Sequence, residues 1–201
     1  MIILDFGSGN TCKNKISYVK NMYDRLKDVD TKKHEIVVKW QLFKRAGKNI
    51  PLDNDMFSYA YNYGTNLGYQ VTASVFDIGS LNFLLNFDIP FVKIANNRRL
   101  DFLINYIPKN IDIYMSSELP IKNKDERLKH MWCISKYPAD ESDYLKLDIK
   151  PGQCISDHTE NFNIFKKLSP SVIEWHYKLK YSTGFDSGSF ARTPEKLMEV
   201  L

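Results

Sequence analysis

No stretch of this chain approaches the roughly 20 consecutive apolar residues that a helix needs to cross a bilayer. The opening Met1-Ile2-Ile3-Leu4-Asp5 has neither the charged start nor the long apolar run of a secretory leader, so a cytoplasmic protein without membrane contact is expected. Cysteine is scarce and odd in number. Cys12, Cys133 and Cys154 have neither zinc-type nor redox-type spacing, which argues against a disulfide framework or a thiolate metal site and leaves three reduced thiols. A dominant charge is missing too: 28 Lys and Arg against 24 Asp and Glu leave +4, with no basic stripe interleaved with aromatics. A nucleic-acid partner is therefore not expected, whereas a small anionic ligand suits the chain. Without an internal repeat, low-complexity tract or Gly/Ser linker, the 201 residues at 43% apolar composition read as one domain, 1–201, with a sizeable core.

What is present is an alternation. Strand-like apolar runs fall at 2–6, 35–41, 69–75, 91–95, 111–115, 130–134, 152–156 and 171–175, separated by polar or amphipathic segments. Between the first runs the spacing is helical: Ile16, Val19, Met22, Tyr23 and Leu26 share one face, as do Met56, Tyr59, Ala60 and Tyr63. Eight strand and helix units imply parallel strands with right-handed crossovers, closing into an α/β fold of the (β/α)8 TIM-barrel type. Such barrels typically take about 250 residues, so this one must be compact, with shortened helices, above all in 121–128 and 159–169. An open doubly wound sheet is the alternative.

In a parallel barrel the chemistry sits at the carboxyl ends of the strands. His158 and His176 each close a strand, and those strands are consecutive, so the imidazoles emerge side by side and suit a divalent ion. His34 and His130 precede apolar runs and belong at the opposite edge. The remaining strand ends present Asp5, Lys39 with Gln41, Ser74, Lys93, Ser116, Ser135 with Tyr137, and Ser156. Lysine inside an apolar strand is costly unless it is paired or faces a wet cavity, and hydroxyls beside it supply directional hydrogen bonds. This combination suits a phosphate or carboxylate. The tract 182–189, Ser-Thr-Gly-Phe-Asp-Ser-Gly-Ser, follows the last strand and belongs to the same mouth.

Eight stretches in this order carry a family resemblance: Ile3-Leu4-Asp5-Phe6-Gly7, Val38-Lys39-Trp40-Gln41-Leu42-Phe43-Lys44, Thr72-Ala73-Ser74-Val75-Phe76-Asp77, Val92-Lys93-Ile94-Ala95, Cys133-Ile134-Ser135-Lys136-Tyr137-Pro138, Ser156-Asp157-His158-Thr159, Val172-Ile173-Glu174-Trp175-His176 and Gly184-Phe185-Asp186. Together they resemble the catalytic barrel of the sialic acid (N-acetylneuraminate) synthase family. Those enzymes condense phosphoenolpyruvate with an N-acetylated hexosamine to make nine-carbon 2-keto acids. The resemblance implies a compact form without the family's C-terminal antifreeze-like domain. It implies that His158 and His176 bind a divalent metal, manganese before magnesium, and that Lys39, Lys93, Ser74, Ser116, Ser156 and Tyr137 surround phosphoenolpyruvate. Gln41 and Asp186 would face the sugar, and Asp5 stands where the family has a catalytic glutamate.

The departures are local. Gly9-Asn10-Thr11-Cys12 replaces the family's Asn-His-Asn-Gly loop, Asn96 replaces a serine, Arg98 replaces a glutamate, Lys136 replaces an asparagine, and Ser116-Ser117-Glu118 replaces Ser-Thr-Gly. Arg98 and Lys136 lead us to expect an acceptor that is smaller or differently charged than the usual hexosamine. The implied activity is that of a phosphoenolpyruvate-dependent, carbon–carbon bond-forming transferase of carbohydrate biosynthesis with an aldose acceptor, working as a monomer or weak homodimer. The alternative is a catalytically impaired barrel that binds an anionic small molecule or a protein partner.

Overall fold

In a closed barrel wall, successive side chains of a strand face alternately the axis and the surrounding helices, so each strand carries two messages at once. The computed structural model, which describes residues 1–45 and 47–201, shows both. Outward-facing Leu4, Phe6, Val38, Trp40, Val71, Ala73, Val75, Val92, Ile94, Ile113, Ile155, Ile173 and Trp175 join one large apolar core beneath the helices. On the axis, Ile3, Val37, Phe91, Met131 and Val172 form a smaller apolar floor. Directly above that floor the axial positions turn polar and charged.

The eight strands are β1 Ile2–Gly7, β2 Ile36–Leu42, β3 Gln70–Val75, β4 Phe91–Ile94, β5 Asp112–Ser117, β6 Leu128–Cys133, β7 Cys154–Ser156 and β8 Ile173–His176. They pair in chain order, all parallel, and β8 closes on β1. The register between β1 and β2 slips between Asp5 and Gly7, where Gly7 takes φ 76°. That left-handed backbone is open to glycine without strain, and it lets Gly7 N donate to Asp5 Oδ1 at 2.9 Å. The closed barrel is the expected fold, and the open sheet is excluded.

Helix length is where the chain economises. Helices α1 (Gly9–Cys12) and α2 (Ile16–Val29) follow β1, and α3 (Asn54–Asn66) and α4 (Ile78–Leu84) follow β2 and β3. On α2, Val19, Met22, Tyr23 and Leu26 are buried as their spacing predicts, while Ile16 opens the helix and stays 53% exposed. On α3 the innermost residues are Phe57, Ala60 and Gly64, so the buried face is turned about one residue from the expected one. Gly64 explains the turn. A Cβ there would meet the Tyr23 ring and Val71 at 2.7 Å, so a bare glycine lets α3 press onto the Tyr23 aromatic cluster.

Beyond β4 the connection is a 3₁₀ segment, Arg98–Tyr106, and β5 passes to β6 through the loop 118–127 with no helix. Arg127 ties that loop down, donating to the carbonyls of Ile107 and Pro108 at 2.8 and 2.9 Å and pairing with Asp125. Helices α5 (Glu141–Leu145) and α6 (Asn163–Leu168) are five and six residues long, and α7 (Pro194–Leu197) ends the circuit. Shortened helices therefore fit a full barrel into 201 residues. No helix among the described residues is long and apolar enough to cross a membrane.

Candidate active site

At the carboxyl end of the strands lies a cavity of about 460 Å³, and its wall includes Asp5, Lys39, Gln41, Ser74, Lys93, Ser116, Tyr137, Ser156, His158, His176 and Asp186. These eleven residues, read from the sequence, thus face one space, whereas Ser135, also read at a strand end, does not line it. The strand register explains the convergence: Asp5 pairs with Lys39 and with His176, Gln41 with Ser74, and Ser74 with Lys93.

The cavity base is an ionic layer. Lys39 Nζ donates to Asp5 Oδ2 at 2.6 Å and to Ser74 Oγ at 2.8 Å, and Lys93 Nζ donates to Ser116 Oγ at 2.6 Å. Between the two ammonium groups stands Glu174, buried, with Oε2 at 3.7 Å from Lys39 and 3.8 Å from Lys93. Its other oxygen accepts from Ser156 Oγ at 2.8 Å, while Oε2 makes no hydrogen bond. Burial favours uncharged forms, and neighbouring charges decide how far it succeeds. It pushes Lys39 down, but the carboxylates of Asp5 and Glu174 outweigh it and hold the ammonium above its usual range. Lys93 has no such surplus of carboxylates, so burial, with Lys39 adding repulsion, leaves it lowered. Burial pushes Glu174 up, yet the two lysines overcome it and hold its pKa down.

Glu174 is the site residue that sequence reasoning missed. It sits inside a motif quoted for β8, but the apolar run Val172-Ile173 with Trp175 hides it. The available signal was the period of two: if His176 faces the axis, so does Glu174.

The two imidazoles behave differently. His158 Nδ1 lies 2.7 Å from the Ile134 carbonyl, which can only accept, so Nδ1 carries the proton, and the lone pair of Nε2 lies 3.3 Å from Ser156 Oγ, whose one proton goes to Glu174. Burial, reinforced by the positive side of His176, pushes His158 down to about 3, so it is neutral at ordinary pH. Burial also pushes His176 down, but Asp5 and Asp186 outweigh it and raise this imidazole. His176 Nδ1 is buried without a hydrogen bond, 3.2 Å from Asp186 Oδ1 and 3.6 Å from Asp5 Oδ2.

That unpartnered nitrogen between two carboxylates fits a divalent cation: Asp5, His176 and Asp186 each bring one ligand atom within 4.8 Å of the others. The ring of His158 is 5.4 Å from that of His176, centre to centre, and His158 stands outside this triad. Sequence reading paired the two histidines; the structure adds two carboxylates beside one of them. Asp186 comes from the 3₁₀ turn Phe185–Ser187 and shares Gln41 with Asp5, at 2.9 and 2.8 Å.

Over the histidines, the Tyr137 ring lies 4.2 Å from His158 and meets Phe185 edge-on at 4.5 Å, forming an aromatic rim. The two cations expected to meet the acceptor lie elsewhere. Lys136 is spent on Asp143 at 2.6 Å, and Arg98 lines an adjoining groove that shares only Asn96 and Ser116 with the cavity. Glu118 accepts from the Ser135 N–H at 2.7 Å, bracing the loops after β5 and β6. His34 is set at the amino-terminal end, Nε2 at 3.1 Å from the Val200 carbonyl. His130 lies within β6, its ring tilted against that of Trp132 at 4.4 Å between centres, and lines no part of the cavity.

No family model and no curated protein sequence matches the chain. Solved structures do. N-acetylneuraminic acid (sialic acid) synthetase from Leptospira borgpetersenii, in complex with citrate, is similar with a TM-score of 0.76 at 19% identity, over 98% of this chain and 80% of that one. A spore coat polysaccharide biosynthesis protein from Bacillus subtilis gives 0.74 at 17%, over 99% and 65%. A truncated 3-deoxy-D-arabino-heptulosonate 7-phosphate synthase from Thermotoga maritima gives 0.64 at 10%, over 99% and 83%. The chain thus spans about two thirds to four fifths of their lengths. Its barrel is the one that the resemblance to sialic acid synthases implied.

Proposed function

We propose that this barrel condenses phosphoenolpyruvate with an aldose to form a 2-keto sugar acid and inorganic phosphate. The observation that carries the reading is the pair of buried ammonium groups bridged by Glu174, in the same cavity as one neutral imidazole and one unpartnered imidazole nitrogen. The fold likeness to sugar-acid synthases supports it.

In this reading Lys39 and Lys93, with the hydroxyls of Ser74, Ser116 and Ser156, hold the phosphate and carboxylate of phosphoenolpyruvate. Fixing both ends leaves its C3 free to face an aldehyde, and holding two substrates together removes much of the entropic barrier. Gln41 and Asp186 orient the acceptor, and Tyr137 closes over it and excludes water. His176, Asp5 and Asp186, with His158 nearby, would hold a divalent ion, manganese before magnesium, which would supply Lewis-acid polarisation of the acceptor carbonyl. As the new carbon–carbon bond forms, water adds at C2 and phosphate leaves. Glu174, ionised between the two lysines and with Oε2 free of hydrogen bonds, would take the proton of that water. We place this chemistry in the cytoplasm, in a monomer or weak homodimer.

The test is calorimetric binding of phosphoenolpyruvate with and without manganese, followed by phosphate release in the presence of a panel of aldoses. Binding that His158→Ala/His176→Ala makes insensitive to metal, together with acceptor-dependent phosphate release, is the expected result. A protein that neither binds phosphoenolpyruvate nor releases its phosphate with any aldose refutes the reading.

A further inference from the structure

Behind the cavity wall, on the helix side of β7 and β8, lies a second buried charge cluster that the proposed chemistry does not use. Arg192 is fully buried in the segment that follows the site turn. Its backbone N–H donates to the His176 carbonyl at 2.7 Å, and its own carbonyl accepts from Lys178 N at 2.9 Å, so it is stitched to the chain on both sides of Tyr177. Its guanidinium reaches the other histidine's loop. Nη1 donates to the carbonyls of Thr159 and Phe190 at 2.6 and 2.7 Å, and Nη2 donates to the Asn161 carbonyl at 2.5 Å and approaches Asp157 Oδ2 at 3.3 Å. The plane rests on Phe162, 4.8 Å from the ring centre.

Asp157 completes the clamp. It is fully buried, its Oδ1 accepts from Thr159 N at 2.8 Å, and its Oδ2 accepts from Trp175 Nε1 at 2.9 Å. Strand alternation gives the arrangement its meaning. Asp157 lies between Ser156 and His158 in sequence, and Trp175 lies between Glu174 and His176; the inner residues of each strand line the cavity while these two face outward. A buried ion pair adds little net stability over apolar side chains of the same shape, whereas a planar fork spread over four fixed acceptors defines positions.

We propose that Arg192 is a positioning residue for the two imidazoles: its backbone fixes His176, and its guanidinium fixes the loop that carries His158. Their separation across the cavity is thus set from behind the wall. The proposal rests on reading His158 and His176 as working groups of the site, but its test needs neither phosphoenolpyruvate nor metal, so failure of the condensation reading leaves the measurement intact.

Arg127 is the internal control. It is an equally anchored guanidinium, bound to Asp125 and to loop carbonyls at the amino-terminal end of β6, and it touches neither histidine segment. The readout is the Nδ1–H of His158 in nitrogen-15 imidazole spectra, whose position reports the tautomer and whose exchange with water reports opening of the loop. Arg192→Lys keeps a charge for Asp157 but loses the fork. It is expected to speed exchange of that proton about tenfold, the loss of one charge-assisted hydrogen bond, and to average the tautomer signals. Arg127→Lys is expected to leave both unchanged while lowering the melting temperature. Asp157→Asn keeps one oxygen for Trp175 and Arg192 but turns an NH2 group toward the Thr159 N–H; it loosens the clamp from its acidic side, is expected to give at least the same change, and serves if Arg192→Lys fails to fold. Wild-type His158 signals in both clamp variants, or an equal change in Arg127→Lys, overturn the proposal.

Discussion

Replacing Glu174 with Gln removes one charge from the centre of the ionic layer and leaves the shape and the Ser156 hydrogen bond in place. Lys39 keeps Asp5 at 2.6 Å, but Lys93 loses its nearest carboxylate and retains only the Ser116 hydroxyl at 2.6 Å and the Ile94 carbonyl at 3.4 Å. At 3.8 Å and an effective dielectric of roughly 20, the lost attraction is about 4 kcal/mol before reorganisation. Breaking a buried pair from one side costs about 3–5 kcal/mol, so we expect Glu174→Gln to lower stability by about 3 kcal/mol at pH 7. The pH dependence identifies the cause. A lysine whose folded pKa is lowered sheds its proton earlier in the folded state, so stability rises with pH between that pKa and the unfolded value near 10.4. The variant's deficit should therefore shrink as pH approaches 10. Adding Lys93→Met should recover about 2 kcal/mol at pH 7, because it removes the stranded charge. Urea unfolding from pH 7 to 10 on the wild type and the two variants measures all of this. A deficit below about 1 kcal/mol, or one that is flat with pH and unrelieved by Lys93→Met, would refute the picture of Glu174 as the counter-ion of Lys93.

Three further outcomes follow from the same geometry. His158 has a folded pKa of about 3 against about 6.5 unfolded, so below pH 6.5 the unfolded chain binds a proton that the folded chain refuses. Stability contributed by this group is complete above that value and falls as pH drops, by about 2 kcal/mol between pH 6.5 and 5. His176, raised in the fold by Asp5 and Asp186, contributes in the opposite sense, but it is common to both proteins and cancels in the comparison of wild type with His158→Gln. Urea melts of wild type and His158→Gln should converge by that amount, and parallel curves reject the assignment. Burial pushes the Cys133 thiol up to about 12 although it lines the cavity, so alkylation at pH 8 read by mass spectrometry should label half-buried Cys154 and spare Cys133; preferential labelling of Cys133 contradicts the packing. Gly64→Ala adds helix propensity worth about 1 kcal/mol but drives a methyl to 2.7 Å from Tyr23 and Val71, so a net loss of about 1–2 kcal/mol in urea unfolding is expected, and a gain would show that α3 can retreat.

The strands were legible because most carry an apolar outer face, and an eight-fold count of such runs leaves few topologies. The lysines were legible for the opposite reason, since Lys39 and Lys93 are out of place in apolar strands unless a polar interior receives them. Glu174 was not, because an apolar run with one acid reads as a strand with an exposed edge until the barrel closes and turns that position inward. The turn of α3 depended on a glycine whose value lies in Tyr23, some forty residues away. Lys136 shows the limit of inferring a site from residue type alone: it pairs with Asp143, in α5, and lines no part of the cavity. Spacing put Asp5, His176 and the tract with Asp186 at one mouth, but the approach of their ligand atoms to within 4.8 Å depends on how the last loop folds back, which spacing does not encode.

Because core and cavity are interleaved residue by residue along the same short strands, this protein has little tolerance for length change where it tolerates exchange of residue type. Deleting Ile173, with the start of the strand held in register, does not shorten the site. It rotates Trp175 toward the ionic layer and drives Glu174 and His176 into the apolar belt beneath the helices. Variation that preserves folding is thus channelled into the loops above the mouth, such as 118–127 and 182–189, whose insertions and losses leave the parity of every strand untouched.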